Sequence, residues 1–186
     1  MKRIKYSGLA LVVVCALGAA AATSAVAHTF NANVMASLKG SADATQVFKT
    51  TAGNVECTKV AVSSGSTVLT IKTVKAIVNY TGCTAFGLSA TVSPADYVFD
   101  ADGTASVMKE ITIKAIGCEV KVPISGNANL HTVKFKNNGT GVLLEPTVVG
   151  ITSSGTGAAC TYASESKGTY VGNSHVSAAG GTVAWT

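Results

Sequence analysis

Two apolar-alternating runs meet at Ile116-Gly117 within Ile111 to Phe135, ITIKAIGCEVKVPISGNANLHTVKF, and this junction constrains the fold most. The apolar positions are odd before it (111, 113) and even after it (118, 120, 122, 124). A two-residue hairpin loop produces that switch without putting either apolar set in water. In that register the residue numbers of facing partners sum to 233: Ala115 faces Cys118, Ile113 faces Val120 and Ile111 faces Val122, while Lys114 meets Glu119 on the other face. A single strand bulged at Gly117 shifts parity equally well and is the competing reading.

The first residues carry Lys2, Arg3 and Lys5, then an apolar run from Leu9 to Ala22, then Ala25-Val26-Ala27 with small residues where a signal peptidase reads. Residues 1–27 are therefore expected to be a secretory signal peptide, and 28–186 a single exported domain. The apolar run is too short for a spanning anchor, and the mature form is expected to have no membrane span. Cys15 does not make a lipidation site, because Val14 precedes it where a small residue is needed. Removing the leader takes three of 14 basic residues and none of nine acidic ones, so the formal charge falls to 11 − 9 = +2. All remaining cations are lysines, and without arginine's planar fork nucleic-acid binding is disfavoured.

Cys57, Cys83, Cys118 and Cys160 remain, an even number suited to disulfides in an exported chain. Three pairings exist; the sequential one, Cys57–Cys83 and Cys118–Cys160, is favoured. It closes loops of about 26 and 42 residues, each contributing roughly 3–4 kcal/mol in the chain-entropy model. A four-cysteine zinc site is disfavoured, because no two cysteines stand at metal-ligand spacing.

Along the chain, residues 28–46 offer only Val34 and Leu38 as apolar anchors and read as a loosely held opening segment with one edge strand. Strands are expected at Val47 to Thr51 and Val55 to Val62, then a turn at Ser63-Ser64-Gly65-Ser66. Thr67 to Tyr80 changes parity near Thr73, which implies a bend, and Thr81-Gly82 reads as a turn. Phe86 to Val92 alternates, and Tyr97 to Phe99 and Thr104 to Met108 flank a hairpin tip at Asp100-Ala101-Asp102-Gly103. Asp96, Asp100 and Asp102 could be a calcium loop, but the glutamate and helices of that motif are missing. Val133 to Lys136 and Val142 to Leu144 form another hairpin, and Pro146 marks an edge or break. Short strands follow at Val148 to Thr152, Cys160 to Ala163, Thr169 to Val171 and Thr182 to Trp185. With no helical periodicity in the mature chain, the fold class is all-β, an antiparallel β-sandwich or barrel with disulfides.

Val55-Glu56-Cys57, Tyr80-Thr81-Gly82-Cys83-Thr84-Ala85-Phe86-Gly87, Tyr97-Val98-Phe99 and Cys118-Glu119-Val120-Lys121-Val122-Pro123 together resemble a pattern in exported all-β proteins of actinobacteria. The resemblance spans most of the mature chain and implies no activity. Those proteins often carry a further cysteine pair between the positions of Cys83 and Cys118; here Ala95 stands where one of them would fall.

No nucleophile elbow, zinc-protease helix, dinucleotide loop or phosphate loop occurs, and no catalytic residues or cofactor are assigned. Glu110 and Glu119 fall on the outer face of the hairpin and read as solubilising charges. The leading expectation is a secreted binding or structural module for a cell-surface or extracellular ligand. The alternative is a metal-binding protein or enzyme built on His28, which cleavage after Ala27 would make the mature N-terminus, its amine and imidazole chelating copper with His131 or His175. Tyr97, Tyr162, Tyr170 and Trp185 are candidate stacking aromatics or, alternatively, packing residues. The sequons at Asn79 and Asn138 matter only in a eukaryotic secretory pathway.

Overall fold

The 111–122 stretch folds as the register requires. In a computed structural model that describes residues 27–66, 69–125, 133–160 and 163–186, Ile111 pairs with Val122, Ile113 with Val120, Lys114 with Glu119 and Ala115 with Cys118. Gly117 turns the hairpin at φ 71°, a left-handed conformation that suits glycine. Apart from Ala27, the expected leader lies outside the described residues.

Among the described residues the chain is all strand and turn. The strands are β1 (Phe30–Ala32), β2 (Ser37–Ala42), β3 (Gln46–Thr50), β4 (Gly53–Ser66), β5 (Thr70–Ile71), β6 (Thr73–Ala85), β7 (Leu88–Val92), β8 (Ala95–Asp100), β9 (Ala105–Val107), β10 (Ile111–Ala115), β11 (Cys118–Val122), β12 (Val133–Asn138), β13 (Gly141–Thr156), β14 (Ser164–Val171), β15 (Ser174–Ala178) and β16 (Val183–Trp185).

Antiparallel pairing closes a ring in the order β3, β4, β6, β7, β10, β11, β13, β14 and back to β3. The barrel alternative is therefore the one adopted, and closure leaves this ring without an open edge. The opposite ends of β4, β6 and β13 continue into a second curved wall, ordered β9, β8, β6, β4, β2, β15, β13, β12. Single bonds such as Val133 N–H to Gly103 O (2.7 Å) stitch its two edges. A small sheet of β16, β1 and β5 covers the outer end, where Phe30 meets Phe135 edge-on at 5.0 Å.

The shared strands are long, 14, 13 and 16 residues, because each serves both walls. β4 and β6 also switch parity where the walls meet, and β13 switches within its ring-side part. In β4 the buried residues are Val55 and Cys57, then Val60 and Val62; in β6 they are Val74, Ala76 and Val78, then Cys83 and Ala85. In β13 the switch lies between Val148 and Ile151. Gly82 (φ 63°) and Gly150 (φ 76°) take the left-handed conformation at these kinks, where a Cβ would be strained. Two apolar clusters result, one per wall.

Several expectations need correction. Residues 28–46 are not loosely held: β2 lies between β4 and β15, with Leu38 only 4% exposed. Its small, polar residues hide a strand whose pairing comes from both neighbours. Ser63 to Ser66 are not a turn but the end of β4, and Thr81-Gly82 is a kink inside β6 rather than a turn. Pro146 does not interrupt β13, where it stands opposite Val133. The turn after β6 falls at Phe86-Gly87, so Phe86 is outside β7 and Leu88 is exposed.

Candidate ligand site in the barrel lumen

The parity switch leaves incompletely filled space at the junction of the two clusters. A cavity of about 130 Å³ lies there, bounded by Val60, Val62 and Val78 of one cluster and by Phe48, Ile113 and Val148 of the other. Side chains from both walls meet at this level, and no single strand face is in register across it. A second void of about 30 Å³ beneath Phe30 is apolar and comparable to one water.

The polar groups bordering the larger cavity are Gln46, Tyr80, Tyr97, Tyr170, Ser106 and Ser174; none is ionised at neutral pH. Gln46 opens β3, is 2% exposed, and is fixed on three sides. Its Nε2 donates to Ala44 O (2.8 Å) and Asn173 O (3.0 Å), and its Oε1 accepts from the Tyr170 hydroxyl (2.6 Å). Two carbonyl neighbours settle the orientation of the amide, because a flip would set oxygen against oxygen. The hydroxyls of Tyr80 and Tyr97 are 3.0 Å apart, and Tyr170 interacts with Tyr80 in turn.

Burial pushes the phenols of Tyr80, Tyr97 and Tyr170 above their ordinary ionisation range. Proximity of Tyr170 and Tyr97 raises Tyr80 further. The side chains nevertheless keep partial accessible area where they border the cavity. The lumen thus presents an apolar wall bordered by two neutral hydrogen-bonded pairs, Tyr80–Tyr97 and Tyr170–Gln46.

The structure distributes the other sequence candidates differently. Tyr97 and Tyr170 point inward, so they are not surface stacking platforms, and Tyr162 lies outside the described residues. Trp185 packs between His28 and Phe135, with ring centroids 4.3 and 6.1 Å away, and donates its indole N–H to Ala101 O at 2.8 Å. His175 meets Asn138 O at 3.1 Å, while His131 lies outside the described residues. Among the described residues no group of three histidine, cysteine or acidic side chains is placed to hold a metal. Asp100 and Asp102 instead accept from Thr73 and Thr104, which ties the β8–β9 tip. Glu110 and Glu119 lie on the outer hairpin face with Lys114 and Lys121.

Sequence reasoning missed Gln46 and treated Tyr80 only as a strand residue. Their convergence depends on closure of the ring, since Gln46 and Tyr170 are 124 residues apart.

Both disulfides join the expected partners. Cys57–Cys83 links β4 to β6, and Cys118–Cys160 ties β11 to the segment after β13. They indicate an oxidising environment. No helix among the described residues is long and apolar enough to cross a membrane. Comparison of the chain with protein families, curated proteins and solved structures finds no match.

Proposed function

We propose that the chain is an exported, non-catalytic binding module that holds a small apolar molecule in the lumen of its barrel. The supporting observation is the cavity of about 130 Å³, walled by valine, isoleucine and phenylalanine and bordered by Tyr80, Tyr97 and Tyr170. Apolar protein cavities of this order, about 150 Å³, stay dry and admit a benzene-sized molecule. Export through the leader at residues 1–27 fits the oxidising environment that the disulfides require. The likeness to exported actinobacterial proteins is consistent with a secreted role.

A thermal-shift titration with toluene, disulfides intact, tests the reading. Ligand at a hundredfold excess over Kd should stabilise the fold by about 2.7 kcal/mol. Val78→Phe, which places a ring in the cavity, should abolish the shift. Stabilisation that persists in this variant would locate binding elsewhere.

One observation favours a second reading, metal binding at a processed N-terminus. Among the described residues the His28 Nδ1, buried beside Trp185, has no hydrogen-bond partner. Copper(II) titration of the processed chain and of His28→Ala separates this reading from lumen binding.

A further inference from the structure

We propose that Ser174 anchors the lumen ligand, an uncharged monocyclic molecule whose single hydroxyl or carbonyl group meets the Ser174 hydroxyl. The inference rests on the lumen-binding reading and adds the ligand's polar group and the residue that receives it.

Ser174 opens β15, and because side chains alternate along a strand it shares its face with Val176 and Ala178, both members of the apolar core. It is only 9% exposed and borders the cavity, as does Leu144, its partner on β13. The polar groups around it are already engaged. Gln46 commits both Nε2 hydrogens to the carbonyls of Ala44 and Asn173, and its Oε1 accepts from the Tyr170 hydroxyl. Tyr80 and Tyr97 bond to each other. The Ser174 side chain, one residue beyond the carbonyl that holds Gln46, makes no hydrogen bond to any described residue. Ser106 is equally buried, but it alternates with Ala105 and Val107, which belong to the core clusters, so its hydroxyl falls on the opposite face of β9.

A buried hydroxyl without a partner is costly, and a ligand oxygen that meets it removes that cost. With one rotating proton and two lone pairs, the hydroxyl receives a donor or an acceptor equally. A charged group is not received, because no lysine, arginine, histidine or carboxylate among the described residues borders the cavity to compensate its desolvation.

Calorimetric titration of the disulfide-intact protein and of Ser174→Ala with toluene, phenol, benzaldehyde and benzoate tests this. In the unmodified protein toluene, phenol and benzaldehyde should bind and benzoate should not. In Ser174→Ala phenol and benzaldehyde should each lose roughly threefold to tenfold in affinity, the range of one net neutral hydrogen bond, while toluene keeps its own. The variant should unfold at the parent's urea midpoint, because the hydroxyl it lacks holds no other part of the chain. Phenol and benzaldehyde affinities that fall no more than toluene's would overturn the anchor and leave the lumen reading intact. Toluene binding with neither polar probe bound would do the same. A markedly destabilised variant would mean that the hydroxyl is bonded within the chain, which also overturns the anchor. Benzoate binding would overturn the exclusion of charge, and failure of all four probes would overturn both readings.

Discussion

Cys57 and Cys83 are bonded directly across β4 and β6, their Cα atoms 4.0 Å apart, on the ring side of the level at which the buried positions of both strands change parity. The bond pins the level at which inward-facing residues change parity, and so fixes the floor on which the cavity rests.

Removing either bridge should destabilise without changing the strand order. The closed loops span 26 and 42 residues, for which the chain-entropy model gives about 3–4 kcal/mol each. Urea unfolding of the Cys57→Ser, Cys83→Ser variant and of the Cys118→Ser, Cys160→Ser variant should show losses of that size. Of the two, the first is expected to weaken toluene binding as well, because it alone borders the cavity.

Replacing Tyr170 by phenylalanine removes one hydroxyl and leaves the Oε1 of Gln46 buried without its donor. The expected loss is about 1–3 kcal/mol. A variant as stable as the parent would mean that water or another hydroxyl reaches Oε1.

Stability should fall at alkaline pH. In the unfolded chain the three lumen tyrosines ionise near pH 10. In the folded chain burial raises all three, so the native state holds protons that the unfolded state releases. Their contribution is complete below about pH 10 and is lost as pH rises toward the folded values, at up to about 1.4 kcal/mol per pH unit for each tyrosine. Chemical denaturation between pH 9 and 11 should show this decline, and Tyr80→Phe should flatten it. Tyrosinate absorbance from these residues should appear only with unfolding.

The β10–β11 hairpin should show opposite sensitivities on its two faces. Ile113 is 4% exposed, and Ile113→Ala should cost roughly 2–4 kcal/mol through the space it opens. Glu119 lies outside, its carboxyl held below the usual range first by its hydrogen bond to Lys114, 3.2 Å away, and then by the charges of Lys114 and Lys121. Glu119→Ala should leave the urea midpoint nearly unchanged, since exposed ion pairs contribute little. A Lys114→Cys, Glu119→Cys pair should crosslink across the ladder.

The hairpin, the all-β class and the cysteine pairing are legible in the sequence because each rests on local alternation, turn residues or a count of thiols. Tertiary context determines the rest. Leu38 alone marks β2, whose partners β4 and β15 lie far along the chain. Ser63 to Ser66 have the composition of a turn, yet ladders on both sides of β4 keep them extended. Parity changes in β4 and β6 have the sequence signature of local bends or turns, whereas they mark the passage of one strand between two walls. Gln46, Tyr80, Tyr97 and Tyr170 carry no common motif, and only ring closure brings their polar ends together.

The central claim is that a small apolar molecule occupies the lumen beside Tyr80, Tyr97 and Tyr170. Intermolecular nuclear Overhauser effects between bound toluene and the disulfide-intact protein measure this directly. Contacts to the rings of Tyr80 and Tyr97 and to the methyls of Val78 and Ile113, all lost in Val78→Phe, are predicted. Toluene contacts confined to exposed apolar residues such as Ile116 or Met35, or no saturable binding at all, would contradict it.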